Sequence, residues 1–170
     1  MTDDTQAAPT ATAPAPALTM VGQYIRDLSF ENPGAPDSIL GGGPSPALSF
    51  NISLATKKQP NDVYAVEMTL LVKAEREGKV VFNVELVYGG VFVVKGFTEQ
   101  QVPQVLLIEC PRQTFPFARQ VVANVIQQGG FPPVLLQPID FQALFRQNLA
   151  AAAAQLEKQR ATAQNVPTNN

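Results

Sequence analysis

Between Met20 and Lys95 apolar side chains return at every second position, the spacing of half-buried β-strands, and any fold for this chain must accommodate four such runs. The first lies near Val21 to Glu31, with Leu28 and Phe30 on one face and Asp27, Ser29 and Glu31 on the other. The second sets Leu48, Phe50, Ile52 and Leu54 opposite Ser49, Asn51 and Ser53. The third alternates Tyr64, Val66, Met68, Leu70 and Val72 with Glu67, Thr69 and Lys73, and the fourth alternates Val80, Phe82, Val84 and Leu86 with Asn83 and Glu85. The short, Gly-containing link Arg76-Glu77-Gly78-Lys79 predicts a hairpin, hence an antiparallel sheet whose polar face can look at water. From Asn32 to Pro46 the density of Gly and Pro predicts a loop.

After Gly96 the period becomes helical. Phe117, Val121, Val122 and Val125 form a stripe that ends at Gly129-Gly130, a C-cap signal, while Pro111 and Pro116 are expected to start or break helices. A second helix is expected to open at Asp140 as N-cap and to carry Phe141, Leu144, Phe145, Leu149, Ala152 and Leu156 at helical spacing, with Ala150 to Ala154 adding propensity. The fold class that follows is α+β, a four-stranded antiparallel sheet packed with two helices. With 170 residues and 45% hydrophobic content there is material for one core and too little length for two ordinary domains. Residues 1–17, rich in Ala, Thr and Pro, and the polar residues 161–170 have no apolar face to order them, so they are expected to be disordered tails around a single domain at 18–160.

Composition removes whole classes of function. No histidine is present, so Ser-His-Asp and Cys-His catalysis and the commonest metal ligand are absent. The single cysteine, Cys110, can form neither an internal disulfide nor a thiolate metal cage; beside Pro111 in apolar sequence it reads as an inert buried thiol. No metal site and no cofactor are expected. A net charge of −2 lacks the basic footprint of a nucleic-acid binder. Gly41-Gly42-Gly43-Pro44 is followed by a strand and by no Lys-Ser/Thr, which argues against a phosphate cradle. The acidic start Met1-Thr2-Asp3-Asp4 is unlike a secretory signal, and the charge-free stretches Ser38–Thr56 and Gln120–Ile139 contain Gly, Pro and polar side chains, so neither reads as a membrane span. A cytoplasmic protein without membrane insertion is expected.

Two surfaces remain for function. Asp27, Glu31, Glu67 and Glu85 all fall on the polar side of the sheet, where a cluster of acids suits a cationic partner. The apolar content also exceeds what one small core needs, so Val84, Leu86, Val121 and Val125 are expected to meet a second subunit.

The chain resembles the bacterial SecB export-chaperone family from about Tyr24 to Leu149. The resemblance rests on the segments at 27–36, 61–64, 88–92, 110–111, 115–119, 130–133 and 141–145, among them Asp27-Leu28-Ser29-Phe30-Glu31-Asn32-Pro33 and Tyr88-Gly89-Gly90-Val91-Phe92, in one order and spacing. The Ala/Pro-rich start is similar to the alphaproteobacterial branch. The resemblance implies a non-enzymatic holdase, a tetramer built as a dimer of dimers, that keeps unfolded preproteins export-competent and passes them to the motor ATPase SecA. It assigns docking of SecA, through a zinc-bearing segment of the motor, to Asp27, Glu31 and Glu85. It assigns the client groove to Leu48, Phe50, Leu136, Phe145 and Leu149. Asn83 stands where the family often has an apolar residue, a tryptophan common before the second strand is missing, and the tail at 161–170 lacks the family's acidic charge. Two other readings are a SecB-like chaperone serving a toxin-antitoxin pair and an oligomeric scaffold or small-ligand protein without chaperone activity.

Overall fold

The structure is a computed structural model that describes residues 15–164. Four long strands, β1 (Ala17–Glu31), β2 (Ala47–Lys58), β3 (Val63–Arg76) and β4 (Lys79–Lys95), form one antiparallel sheet in the order β1-β4-β3-β2. The α+β class read from the alternation holds, and each strand is longer than its apolar run. β1 begins at Ala17, the end of the stretch read as a tail; the remainder of that reading, at 1–14, lies outside the described residues.

The hairpin between β3 and β4 turns at Glu77 and Gly78, whose φ angles of 51° and 75° give the paired left-handed turn that matches strand twist. The link from β1 to β2 is mostly loop, with one short helical turn, α1 (Asp37–Leu40), that the Gly/Pro density hid.

Past β4 the chain runs through α2 (Val102–Gln104) and a π-helical turn (Val105–Glu109) into α3 (Cys110–Gln128). Pro111 sits in the first turn of α3, where a missing N–H is least costly. Pro116, expected to break or start a helix, lies inside α3 instead. One lost hydrogen bond there is outweighed by the burial of Phe115, Ala118, Val122 and Ile126 along one face. That face also corrects the predicted stripe: Val122 belongs to it, Val121 and Val125 flank it, and Phe117 is exposed.

The C-cap at Gly129-Gly130 is present. Gly130 takes φ 89° and the Phe131 N–H donates to the Ile126 carbonyl at 3.2 Å, closing the helix end. At Gly129 packing excludes a side chain, since a Cβ there would lie 2.1 Å from the Phe30 ring. Helix α4 (Phe141–Gln164) opens as expected at Asp140, whose carboxylate accepts from the Ala143 N–H at 2.9 Å. It runs to Gln164, four residues into the segment read as a tail; 165–170 lie outside the described residues.

Helix α3 packs across β4, β3 and β1. The core therefore sits over the sheet's centre, around Met68, Leu70, Phe82, Leu86, Val122 and Ile126. Val84 and Leu86, expected at a subunit surface, are 2% and 0% exposed within this single chain. That expectation is corrected: their alternation marks the face under α3, and no surface is left on them for a second copy.

Candidate functional site

Register places the predicted residues on the two faces of the sheet. On β2, Leu48, Phe50, Ile52 and Leu54 pair with Ala74, Val72, Leu70 and Met68, so all four share the inner face with the core. Helix α3 packs mainly on β4, β3 and β1, the π-helical turn reaches β2, and among the described residues no strand pairs with the free edge of β2. Ile52 and Leu54 are half-buried, but Leu48 and Phe50 keep 52% and 40% of their surface exposed.

Beside Leu48 lies an open groove of about 570 Å³. Its walls are the 43–46 loop before β2, Arg76 and Phe82 at the hairpin end, and the 131–135 segment between α3 and α4. Phe82, with its ring centroid 4.9 Å from that of Phe131 and 6.0 Å from that of Phe30, ties the groove to the core. The inter-helix segment is pinned further by the Arg119 guanidinium, which donates to the Leu136 carbonyl at 3.5 Å. The result is an apolar trench with one cationic side chain.

The five residues assigned to the groove by resemblance are not all brought together. Leu48 lines it. Leu136 is buried at 9%, and its neighbour Leu135, 69% exposed, lines the groove in its place. A shift of one residue along this segment thus exchanges wall for core. Phe145 is half-buried against the core, Leu149 is exposed on α4, and Phe50 follows Leu48 along the same face of β2. Sequence reasoning missed Arg76, Phe82 and Phe131 as groove residues; the Phe131-Pro132-Pro133-Val134-Leu135 run directly after a helix cap was the available signal.

The outer face carries the acids. Ser29 pairs with Glu85, Glu31 with Asn83, Asn83 with Lys73 and Leu71 with Glu85, which sets Glu31 and Glu85 around one shallow depression with Leu71 and Lys73. Asp27 is exposed on the same face of β1. Strict alternation puts Asp27, Ser29 and Glu31 there, and a register shift between Ile25 and Asp27 brings Tyr24 to the same face as well. Glu67 is corrected out of the acidic group. Its carboxylate accepts from Tyr24 Oη at 3.0 Å and pairs with the Arg26 guanidinium, so its charge is used within the sheet. Burial, then the Glu67 hydrogen bond and charge, raises the Tyr24 pKa above its ordinary value.

Cys110 is fully buried, and burial together with the neighbouring Glu109 charge pushes its thiol up to about 12, so it stays protonated at neutral pH. Among the described residues no cluster of His, Cys, Asp or Glu could hold a metal ion, and no helix is long and apolar enough to cross a membrane.

Comparison with known proteins gives these two surfaces a context. Residues 11–152 match the family model of SecB, the preprotein translocase subunit SecB. Protein-export protein SecB of Bradyrhizobium sp. is 46% identical over 91% of this chain and 94% of its own length. The protein of the same name from Caulobacter vibrioides is 43% identical over 84% of this chain and 85% of its own. Among solved structures, a Mycobacterium tuberculosis SecB-like chaperone in complex with an antitoxin peptide aligns with TM-score 0.59 at 12% identity, over 72% of this chain and 90% of that one, a likeness of fold. The chain therefore belongs to the SecB family, and its role is that of a chaperone in protein export.

Proposed function

We propose that the uncovered inner face of β2 and the groove beside it hold unfolded preproteins in extended form, while the acidic outer face docks the motor ATPase SecA. The observation that carries the holding role is the exposure of Leu48, Phe50 and Leu135 around an apolar groove continuous with the core. An unfolded chain offers apolar side chains at irregular spacing, and an open trench can accept them without a fixed motif. No nucleotide or cofactor is needed for such binding, and the protein works as a holdase in the cytoplasm rather than as an enzyme.

Docking on the opposite face leaves the groove free. Asp27, Glu31 and Glu85 offer a flat, screened field to a basic segment, so motor affinity should fall as salt rises. Copies of the chain assemble as a tetramer, a dimer of dimers, through surfaces that single-chain burial leaves apolar. These are Val21, Ile25 and Leu28 along the edge strand β1, and Phe117 with the half-buried Val121 and Val125 on α3. The reading as an antitoxin-serving chaperone has only a fold likeness at 12% identity behind it, against export proteins at 43–46%.

Native mass spectrometry with and without an unfolded precursor tests holding and assembly together. The reading expects a mass of about four chains, and one that increases by the precursor's mass when it is present. A strictly monomeric species, or a tetramer that fails to retain the precursor and to suppress its aggregation, would contradict it.

A further inference from the structure

On the outer face three side chains tie β1 to β3 across the width of β4. Register sets Tyr24 of β1 beside Gly89 of β4, and Gly89 beside Glu67 of β3, so the three residues stand in one row. The middle one must lack a side chain: a Cβ at Gly89 would collide with the Tyr24 ring, which lies over the glycine and reaches Glu67. Glu67 Oε1 accepts from Tyr24 Oη at 3.0 Å, and Oε2 is taken by the Arg26 guanidinium. Unlike Lys73 with Glu75 and Arg112 with Glu109, which pair within one strand or helix, Arg26 and Glu67 join two strands that are not neighbours in the sheet.

The tie falls where β1 is least determined. β1 is an edge strand with an irregular step between Ile25 and Asp27, at which Arg26 is the extra residue. On a strand with one free side an extra residue can be taken up one position earlier or later, and each such move turns a neighbouring side chain to the other face. Toward Glu31 the strand is anchored by Phe30, stacked on Phe82 with centroids 6.0 Å apart. At the step itself, Tyr24 and Arg26 are held by one carboxylate. Asp27 is the first residue past the step, so its direction depends on where the extra residue sits.

We propose that Glu67 is a positioning residue for motor docking: by holding Tyr24 and Arg26 it pins the bulge, and so keeps the Asp27 carboxylate on the same face as Glu31 and Glu85. The inference rests on the docking role proposed for that face. Glu31 lies beyond the Phe30 anchor and Glu85 on β4, so neither depends on the tie. Energetic coupling of Glu67 to Asp27, without coupling to Glu31, is the consequence.

Calorimetric titration of SecA into the full-length protein at low salt tests this by double-mutant cycles. Arg26→Ala with Glu67→Ala deletes both charges of the pair, so the net charge of the face is unchanged. In the wild type, Asp27→Asn and Glu31→Gln should each weaken SecA binding about fivefold, the upper range for an exposed ion pair. The pair-deleted protein should lose the same factor. On it Asp27→Asn should cost nothing more, while Glu31→Gln should cost its full factor again and client retention should not change. Wild-type affinity in the pair-deleted protein, or an Asp27→Asn cost that persists in full on it, would overturn the proposal. Loss of the effects of both acids, the mark of a generally loosened strand, would also overturn it. Should the double variant fail to fold, Tyr24→Phe keeps the ring over Gly89, removes one tie and should show the same coupling at about twofold; a full Asp27→Asn cost on Tyr24→Phe would overturn the proposal. If neither Asp27→Asn nor Glu31→Gln weakens binding to the wild type, the docking role of the acidic face falls and this inference with it.

Discussion

Strands β4 and β2 carry the same alternation of apolar and polar residues and meet opposite fates. In β4, flanked by β1 and β3 and covered by α3, Phe82, Val84, Leu86 and Phe92 are buried at 2% exposure or less. In β2, at the sheet edge and beyond the reach of α3, Leu48 and Phe50 stay open. The hydrophobic pattern of a strand thus states which face is apolar, and what lies over that face decides whether it becomes core or a binding surface. A chaperone for unfolded chains needs such unfinished packing, since a face complete in itself has nothing to offer a client.

The sharpest break between the two strands should be in stability. Leu86→Ala removes a wholly buried side chain and should cost about 2–5 kcal/mol by denaturant unfolding, whereas Leu48→Ser at the open edge should cost less than about 1 kcal/mol. Equal losses would mean that β2 is as much core as β4.

An intermediate effect is expected where the closed region supports the open one. Gly129→Ala drives a Cβ into the Phe30 ring and should destabilise by about 1–3 kcal/mol. Phe30 stacks on Phe82, which contacts Phe131, so the same change should loosen the 131–135 wall and weaken client binding. Faster amide exchange in that wall, with β2 unaffected, is the expected readout.

The smallest effect on stability belongs to the outer face. Asp27→Lys with Glu85→Lys alters exposed charges and should shift unfolding by no more than about 0.5 kcal/mol while removing most of the affinity for SecA at low salt. Client holding should survive. Loss of both activities in an intact assembly, or of neither, would contradict separate faces.

These contrasts also mark what was legible in the sequence. Alternation is a local property, so the four strands, the β3–β4 hairpin, the Gly129-Gly130 cap and the Asp140 cap could be read directly. Coverage is not local. Val84 and Leu86 were expected at an interface because nothing in β4 itself tells that α3 lies above it. Register was equally hidden: the irregularity near Arg26 brought Tyr24 to the face of Glu67, and one residue's difference between Leu135 and Leu136 decided which of them lines the groove.

Phe50 and Leu71 permit the most direct test, since they are 40% and 42% exposed on opposite faces of the sheet. A photoreactive benzophenone side chain placed at either position samples its face with comparable access. In the presence of an unfolded precursor, irradiation should cross-link the precursor from position 50 and leave it essentially unlinked from position 71. Cross-linking from position 71 alone, or equally from both, would contradict the claim that clients are held on the uncovered inner face of β2.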